Sequence, residues 1–365
     1  MKLNIARIKY LVASALVAAF VIGCGADSSK SEESMDTAVE EVKEPKVKLV
    51  ENAADKKVDV LIDGELFTSY IYPDNIAKPV LYPLTTASGK VLSRSFPLDT
   101  IPGERIDHPH HVGHWLNYGD VNGLDFWNNS EAISEDRKHK FGTIKHKSVK
   151  STTNGDSGVL EVTTDWVAPT GEVLLVEETS FKFSVEGGTR IIDRTTKLSA
   201  QATEVSFKDN KEGMIAIRVT RAMELPVEKA AVFLDEHGVP TETKVLNNEG
   251  VNGDYLSSEG VTGKEVWGTR GRWMNLHSNL GGEDVAILII DHPSNVGYPT
   301  YWHARDYGLF AANPLGQAAL SDGKEELNFK LAANSDVTFK YRIAIHSGSK
   351  ISVDAINKLA DDFAK

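Results

Sequence analysis

The stretch IDHPHHVGHW, residues 106–115, places four of the chain's 11 histidines and one carboxylate within ten positions. Imidazole titrates near neutrality, donates and accepts hydrogen bonds and is the commonest metal ligand, so this density marks a candidate site. On an extended backbone His108 and His110 would share a face, whereas a turn would pair His111 with His114. Pro109 and Gly113 favour an irregular loop that could bring several rings to one pocket. Asp107 and Asp120 could each accept from the second nitrogen of an imidazole. Three readings stand at this point: a divalent metal held by His108, His110, His111 and His114, an acid–base histidine acting on substrate, and four structural histidines. The spacing lacks the glutamate between i, i+4 histidines that marks the zinc proteases.

Three further stretches depart from strand patterning. In FKDNKEGMIAIRV, residues 207–219, Lys211 and Glu212 sit at a strand start, either as a tuned carboxylate beside an ammonium or as a solvated turn. In VWGTRGRWMNLH, residues 266–277, Trp267, Arg270, Arg272, Trp273 and His277 interleave rings with guanidinium groups. Indoles stack on sugar faces and arginine clamps oxyanions; packing of the tryptophans in a core is the alternative. The segment DHPSNVGYPTYWHARDYGLFAANPLG, residues 291–316, is too rich in Pro, Gly, Asn and aromatics for a strand and reads as a long structured loop. Its polar candidates are His292, Tyr301, His303, Arg305 and Asn313, with Trp302 as a stacking platform. Asp-His-Pro occurs at both 107–109 and 291–293. No GxSxG elbow, phosphate loop or GxGxxG follows a strand, which sets aside serine-hydrolase, nucleotide and dinucleotide chemistry.

The elements that must position these residues are strands. KVDVLIDGELFTSYIY, GVLEVTTDWVAP, EVLLVEETSFKFSVEGGTRIIDRTTKLSA, MIAIRVTRAME, VAILIIDHP and VTFKYRIAIHSG are rich in Val, Ile, Thr and aromatics at period two. Asp63-Gly64, Asn154-Gly155 and Gly187-Gly188 punctuate them at hairpin distances. The pattern predicts an all-β fold, a large antiparallel β-sandwich. One helix is expected, at 352–364, where Ser352 caps and Ile356, Leu359 and Phe363 share a face. There is no repeat of fixed period, which argues against a propeller or β-helix.

The ends set the setting. Lys2, Arg7 and Lys9 precede an apolar run from Leu11 to Ile22, which reads as a secretory signal over 1–23. Val21-Ile22-Gly23-Cys24 resembles a bacterial lipobox, implying cleavage before Cys24, its lipidation and a bilayer partner. Cys24 is the only cysteine, so no disulfide or thiol chemistry is available to the body. From Gly25 to Lys48 there are seven acidic and four basic residues and few large apolar ones, so 24–52 is expected to be a solvated tether and 53–365 a single domain. The net charge of −12 without a basic stripe excludes nucleic acid as a partner. The expected location is the cell envelope, lipid-anchored at the outer membrane.

DHPHHVGHW, GDVNGLDFW, the KEG triplet at 211–213, YLSSEGVTGKEVWGTRGRW at 255–273 and YPTYWHARDYGLFAANPLG at 298–316 resemble, in this order, the DUF6807 family, often labelled methane oxygenase PmoA. The resemblance spans roughly 55–347. It implies a bacterial secreted protein or lipoprotein of polysaccharide degraders. The methane label belongs to a multispanning membrane subunit, and this chain has no apolar span after its signal. The implied fold resembles the galactose-mutarotase-like supersandwich, whose members use a histidine, a glutamate and an arginine on a sugar. By that resemblance Arg94 in SRSFP, His111 or His114, and Glu212 are the counterparts.

Two classes of function remain. One is a carbohydrate-active enzyme, a lyase, epimerase or hydrolase, in which a histidine of 108–114 and Glu212 move a proton. Arg94, Lys211, Arg272, His303, Arg305 and Asn313 would hold the sugar, with Trp267 and Trp302 as platforms; a metal on the histidines is its variant. The other is a glycan-binding lipoprotein using Trp115, Trp127, Trp267, Trp273 and Trp302 and no chemistry. Geometry separates them: an enzyme needs His and Glu across one pocket, a binder needs exposed rings along a groove.

Overall fold

Two eight-stranded antiparallel sheets face each other in the computed structural model, which describes residues 46–365. The first sheet runs in the spatial order Val47–Asn52, Lys57–Ile62, Glu65–Ile71, Val80–Leu81, His114–Leu116, Ile215–Arg218, Leu309–Asn313 and Tyr301–Ala304. The second runs Asp254–Ser257, Trp273–Leu280, Glu283–Asp291, Asp336–Ser347, Thr189–Ala200, Val173–Glu186, Gly158–Val167 and Thr143–Thr153. A ribbon of Val205–Phe207 and Phe329–Leu331 stands apart. The expected all-β sandwich is therefore present, and the segregation of period-two faces explains it. Val58, Val60, Phe67, Ile215, Ile217 and Phe310 of one sheet pack against Leu160, Phe183, Ile192, Leu276, Ile287 and Ile343 of the other.

The central strands of the first sheet are buried on both faces. In Ile215–Arg218 the odd residues enter the inter-sheet core, while Ala216 joins Trp115, Trp127, Leu309 and Ala311 on the outer face. Long loops cover that face, and they carry the motif stretches. The C-terminal helix, Val353–Phe363, accepts Ser352 as its cap, Oγ taking the Ala355 N–H at 3.2 Å. Its Ile356 and Ala360 cover Ile191, Trp273, Leu288 and Ala344 on the outer face of the second sheet. A helix this short is marginal alone, so this packing is what holds it.

Residues 47–52, expected in the tether, form a strand of the folded body, correcting the boundary expected at 53. Val47–Asn52 pairs with Lys57–Ile62, burying Val47 and Leu49 on either side of the exposed Lys48. Val50 beside Leu49 breaks the alternation after only two buried positions, too few for period two to be read. The expected signal at 1–23, lipidated Cys24 and the tether up to 45 lie outside the described residues. Among the described residues no helix is long and apolar enough to cross a membrane.

Candidate functional site

The loop 105–113 on the outer face of the first sheet is organised by two arginines. Arg94 is 1% exposed and donates through Nη1 to the carbonyl of Asp107 at 2.7 Å and its Oδ1 at 2.8 Å. Its Nη2 donates to the carbonyls of His108 and His111 at 2.9 and 3.0 Å. Arg218, fully buried, donates to Asp107 Oδ1 at 2.6 Å and to His111 Nδ1 at 3.1 Å. Burial alone would raise the Asp107 pKa, but His108 and the two guanidinium charges hold the carboxyl well below the usual range. Gly113 lets the loop enter its strand: its φ is +55°, and a Cβ there would meet the Leu81 carbonyl at 2.3 Å.

These contacts separate the four histidines. His108 has φ +45°, a sparsely populated backbone region for a non-glycine residue, held there by the bonds to its neighbouring carbonyls. Its ring is 40% exposed, with Nδ1 3.3 Å from Asp107 Oδ2. It lies in a stack, parallel to Tyr307 on one side (5.1 Å) and to His111 on the other (4.8 Å). His111 continues that stack onto Trp115 and is 1% exposed. Burial, then neighbouring charges, hold the pKa of His110 and His111 far below neutrality. His114 is on the opposite face: the alternation of His114-Trp115-Leu116 sends it between the sheets, beside Tyr70, Glu177 and Arg194. Burial first and the Arg194 charge second push its pKa down to about 3.

The four-histidine metal set is therefore corrected. His114 is divided from the others by the sheet, and parallel rings at 4.8 Å direct their nitrogens along separate planes. Among the described residues no three His, Cys, Asp or Glu side chains form a ligand group.

Glu212 comes to the same face from the 208–213 loop. Gly119 makes room for it, since a Cβ there would lie 2.7 Å from the Glu212 Cβ, and its N–H donates to the Glu212 carbonyl at 2.7 Å. Lys211 Nζ is 2.6 Å from Glu212 Oε1 and His303 Nδ1 is 4.0 Å from Oε2. Burial, followed by the charges of Lys211 and Arg305 and, more weakly, His108, pushes the His303 pKa down to about 3. The pair is thus a neutral imidazole beside a carboxylate, not an ion pair. Asn313 holds this loop, donating to the carbonyls of Asn210 and Lys211 at 2.8 and 3.0 Å.

A cleft of about 590 Å³ opens beside Asp107 and Tyr307. Its other walls come from Arg305, Lys264 and the excursion Pro226–Val232 with Lys244. Arg305 lies over the rings of Trp267 (5.9 Å) and Tyr307 (5.7 Å).

Other candidates fall elsewhere. Trp302 is fully buried in the inter-sheet core, so it offers no platform. Arg272 pairs with Asp361 at 2.6 Å and donates to Asn357, and Trp273 donates to the same Asn357, which ties both to the C-terminal helix. Asp120 accepts from Gly123 N–H, closing a turn instead of orienting an imidazole. In the second Asp-His-Pro, Asp291 is buried and His292 packs edge-on to Phe363 at 5.1 Å, away from the first copy. Arg94, expected on the sugar, binds loop carbonyls instead.

A family model described as a family of unknown function, DUF6807, matches residues 57–361. The chain belongs to this family. No curated protein matches it. Among solved structures, the DUF6807 chain is similar to the galactosidase domain of an alpha-galactosidase–sucrose kinase, at 8% identity and TM-score 0.36, covering 82% of this chain and 41% of that one. It is similar to the alpha-galactosidase from Lactobacillus brevis, at 10% identity and TM-score 0.36, covering 84% and 40%. A galactose mutarotase-like protein from Lactobacillus casei is matched at 9% identity and TM-score 0.31, over 82% of this chain and all, 100%, of that one. The DUF6807 chain spans about two fifths of the length of the two galactosidase chains, 41% and 40%.

Three residues of this DUF6807 site escape sequence reading: Arg218, Tyr307 and Lys78. Arg218 had a signal, a charge closing the otherwise apolar run Ile215-Ala216-Ile217, where a buried partner is required. Lys78, in AKPVLYP, had none. It is 2% exposed, donates to the His110 carbonyl at 2.6 Å, lies 5.1 Å from the Trp115 ring and borders a cavity of about 70 Å³. Burial lowers its pKa from 10.5 to about 7, with Asp125 opposing. The unfolded chain then keeps this proton up to about pH 10.5 while the fold releases it above about 7, so stability rises with pH across that window. We expect Lys78→Met to remove this rise, ~4 kcal/mol by linkage, in urea melts of both proteins from pH 6 to 10; parallel curves would show that the ammonium is not desolvated.

Proposed function

We propose that this chain is a carbohydrate-active enzyme that moves a proton on a sugar at the mouth of the cleft, with His108 and Glu212 as the two proton-handling groups. The observation that supports the reading is the setting of His108. It is the accessible ring of the 108–114 cluster, stacked on Tyr307 and backed by a carboxylate that two buried arginines keep ionised. An anionic Asp107 at 3.3 Å orients the ring. Glu212 is linked to the same neighbourhood through His303 at 4.0 Å, and the charges of Glu212 and Asp107 both act on Tyr307. Such a pair serves a lyase, an epimerase or a hydrolase.

The glycan-binding alternative loses its platforms. Trp115, Trp127, Trp273 and Trp302 are each at most 1% exposed, leaving Trp267 as the one tryptophan of the five with an accessible ring. The tethering of this activity to the envelope by lipid on Cys24 is part of the same proposal.

The test is incubation with a panel of oligosaccharides in D2O, reading products and deuterium uptake by mass spectrometry. His108→Ala and Glu212→Gln are each expected to lower the rate by about 10²–10⁴ while leaving the fold intact. Turnover of His108→Ala at the wild-type rate, or a panel that binds without reaction or exchange, would sink the proposal.

A further inference from the structure

The cleft beside His108 has a charge character that the proton-moving pair does not require. On a chain of net charge −12 it is lined by Lys229, Lys244, Lys264 and Arg305. The carboxylates near it are mostly committed. Asp107 is held by Arg94 and Arg218, Glu224 holds the cleft-lining Arg105 at 2.7 Å, and Glu228 is 3.3 Å from Lys264. Lys229, Lys244 and Arg305 remain without an ion-pair partner among the described residues, against Asp306 alone.

Arg305 is the informative member. Its guanidinium lies against the rings of Trp267 and Tyr307 and, among the described residues, donates to no carboxylate and no carbonyl. The buried arginines of this protein behave differently: Arg94, Arg194 and Arg218 each have acceptors in place. Ring faces hold a guanidinium plane without occupying its in-plane N–H groups, so the fork stays ready for a planar oxyanion. The Tyr307 ring that supports Arg305 also stacks on His108, so an anion on Arg305 would sit a short way from the proton-handling ring. The volume suits a sugar ligand larger than a small ion.

We propose that the cleft takes an acidic glycan, with a hexuronate carboxylate clamped by Arg305 between Trp267 and Tyr307 and with Lys229 and Lys244 facing further anions along the chain. This rests on the reading above for where the sugar lies. It does not depend on what happens to the sugar. A sulfated glycan would present oxyanions to the same fork, so the test separates the two sources.

The full-length protein would be titrated calorimetrically with a polyuronate oligosaccharide, its carboxyl-reduced neutral counterpart and a sulfated galactan oligosaccharide. The expected result is binding of the uronate, weakened by added NaCl, and at least about tenfold weaker binding of the reduced form. Arg305→Gln should lower uronate affinity about 10–100-fold, and Arg305→Lys should fall between, because an ammonium keeps the charge but not the fork. Lys244→Gln, an exposed position that leaves the packing alone, should lower it less. Lys182→Gln, exposed on the second sheet, should match wild type. Equal affinity for the uronate and its reduced form, binding of the sulfated oligomer alone, or an Arg305→Gln variant that binds like wild type would each overturn the proposal. Absence of turnover with uronate binding intact would instead overturn the acid–base reading and leave this one standing.

Discussion

An Arg94→Met variant is expected to unfold with about 3–5 kcal/mol less free energy than wild type and to lose the activity assigned to His108. The guanidinium is 1% exposed and bonds three loop carbonyls at 2.7–3.0 Å in addition to the Asp107 carboxylate. Methionine fills much of the volume and returns none of these donors, so the carbonyls of Asp107 and His111 stay unpaired and that of His108 keeps only the His111 N–H at 2.9 Å. Asp107 would keep Arg218 but lose half of its compensation, and the positive φ of His108 would lose the bonds that enforce it. Arg94→Lys should recover little, because one ammonium cannot reach acceptors spread along a fork. Urea melts of the two variants check this. A Met variant within about 1 kcal/mol of wild type would mean that Arg218 alone organises the loop.

The fold and the site were legible to different depths. A strand such as Val173–Glu186 announces itself because one face meets the core and the other is largely open to solvent, so composition alternates with the backbone. The same rule misleads in His114–Leu116, Ile215–Arg218 and Tyr301–Ala304, where loops bury the second face as well. There Trp115 and Trp302 look like sugar platforms and turn out to be packing on opposite faces of one sheet. The density of histidines draws attention to 106–115, yet a cluster in sequence says nothing of which side of a strand each ring takes. One position separates His114 from Trp115, and that position sends the imidazole to the inter-sheet space. Asp107 was read as the orienting carboxylate, and its distance to His108 fits that role. The arginines that keep it ionised lie 13 and 111 residues away in the chain, a separation no local pattern can carry.

The inter-sheet polar cluster gives the second large expectation: Glu177→Leu should lower the unfolding free energy by about 3–5 kcal/mol. Glu177 is 4% exposed and accepts from Trp166 Nε1 at 2.8 Å, Thr179 Oγ1 at 2.6 Å and Arg194 Nη2 at 2.9 Å. His114 next to Arg194 is neutral at physiological pH and cannot replace the lost carboxylate, since it faces a guanidinium with no charge to offer. Leucine therefore leaves Arg194 charged and unpaired between two sheets. The double variant Glu177→Leu/Arg194→Met removes both desolvation costs and is expected to regain most of the loss, because a buried pair often contributes little beyond a well-packed apolar replacement. Chemical denaturation of the two single variants and the double variant completes a cycle whose coupling term reports the pair itself. Recovery in the double variant, with His108-dependent activity retained, would assign the cluster to core assembly. Failure to recover would mean that the hydroxyls and indole around Glu177 need its oxygens even when no charge has to be balanced. Because Trp115 beside His114 carries His111 on the outer face, a collapse of that cluster should then also appear as a loss at the site.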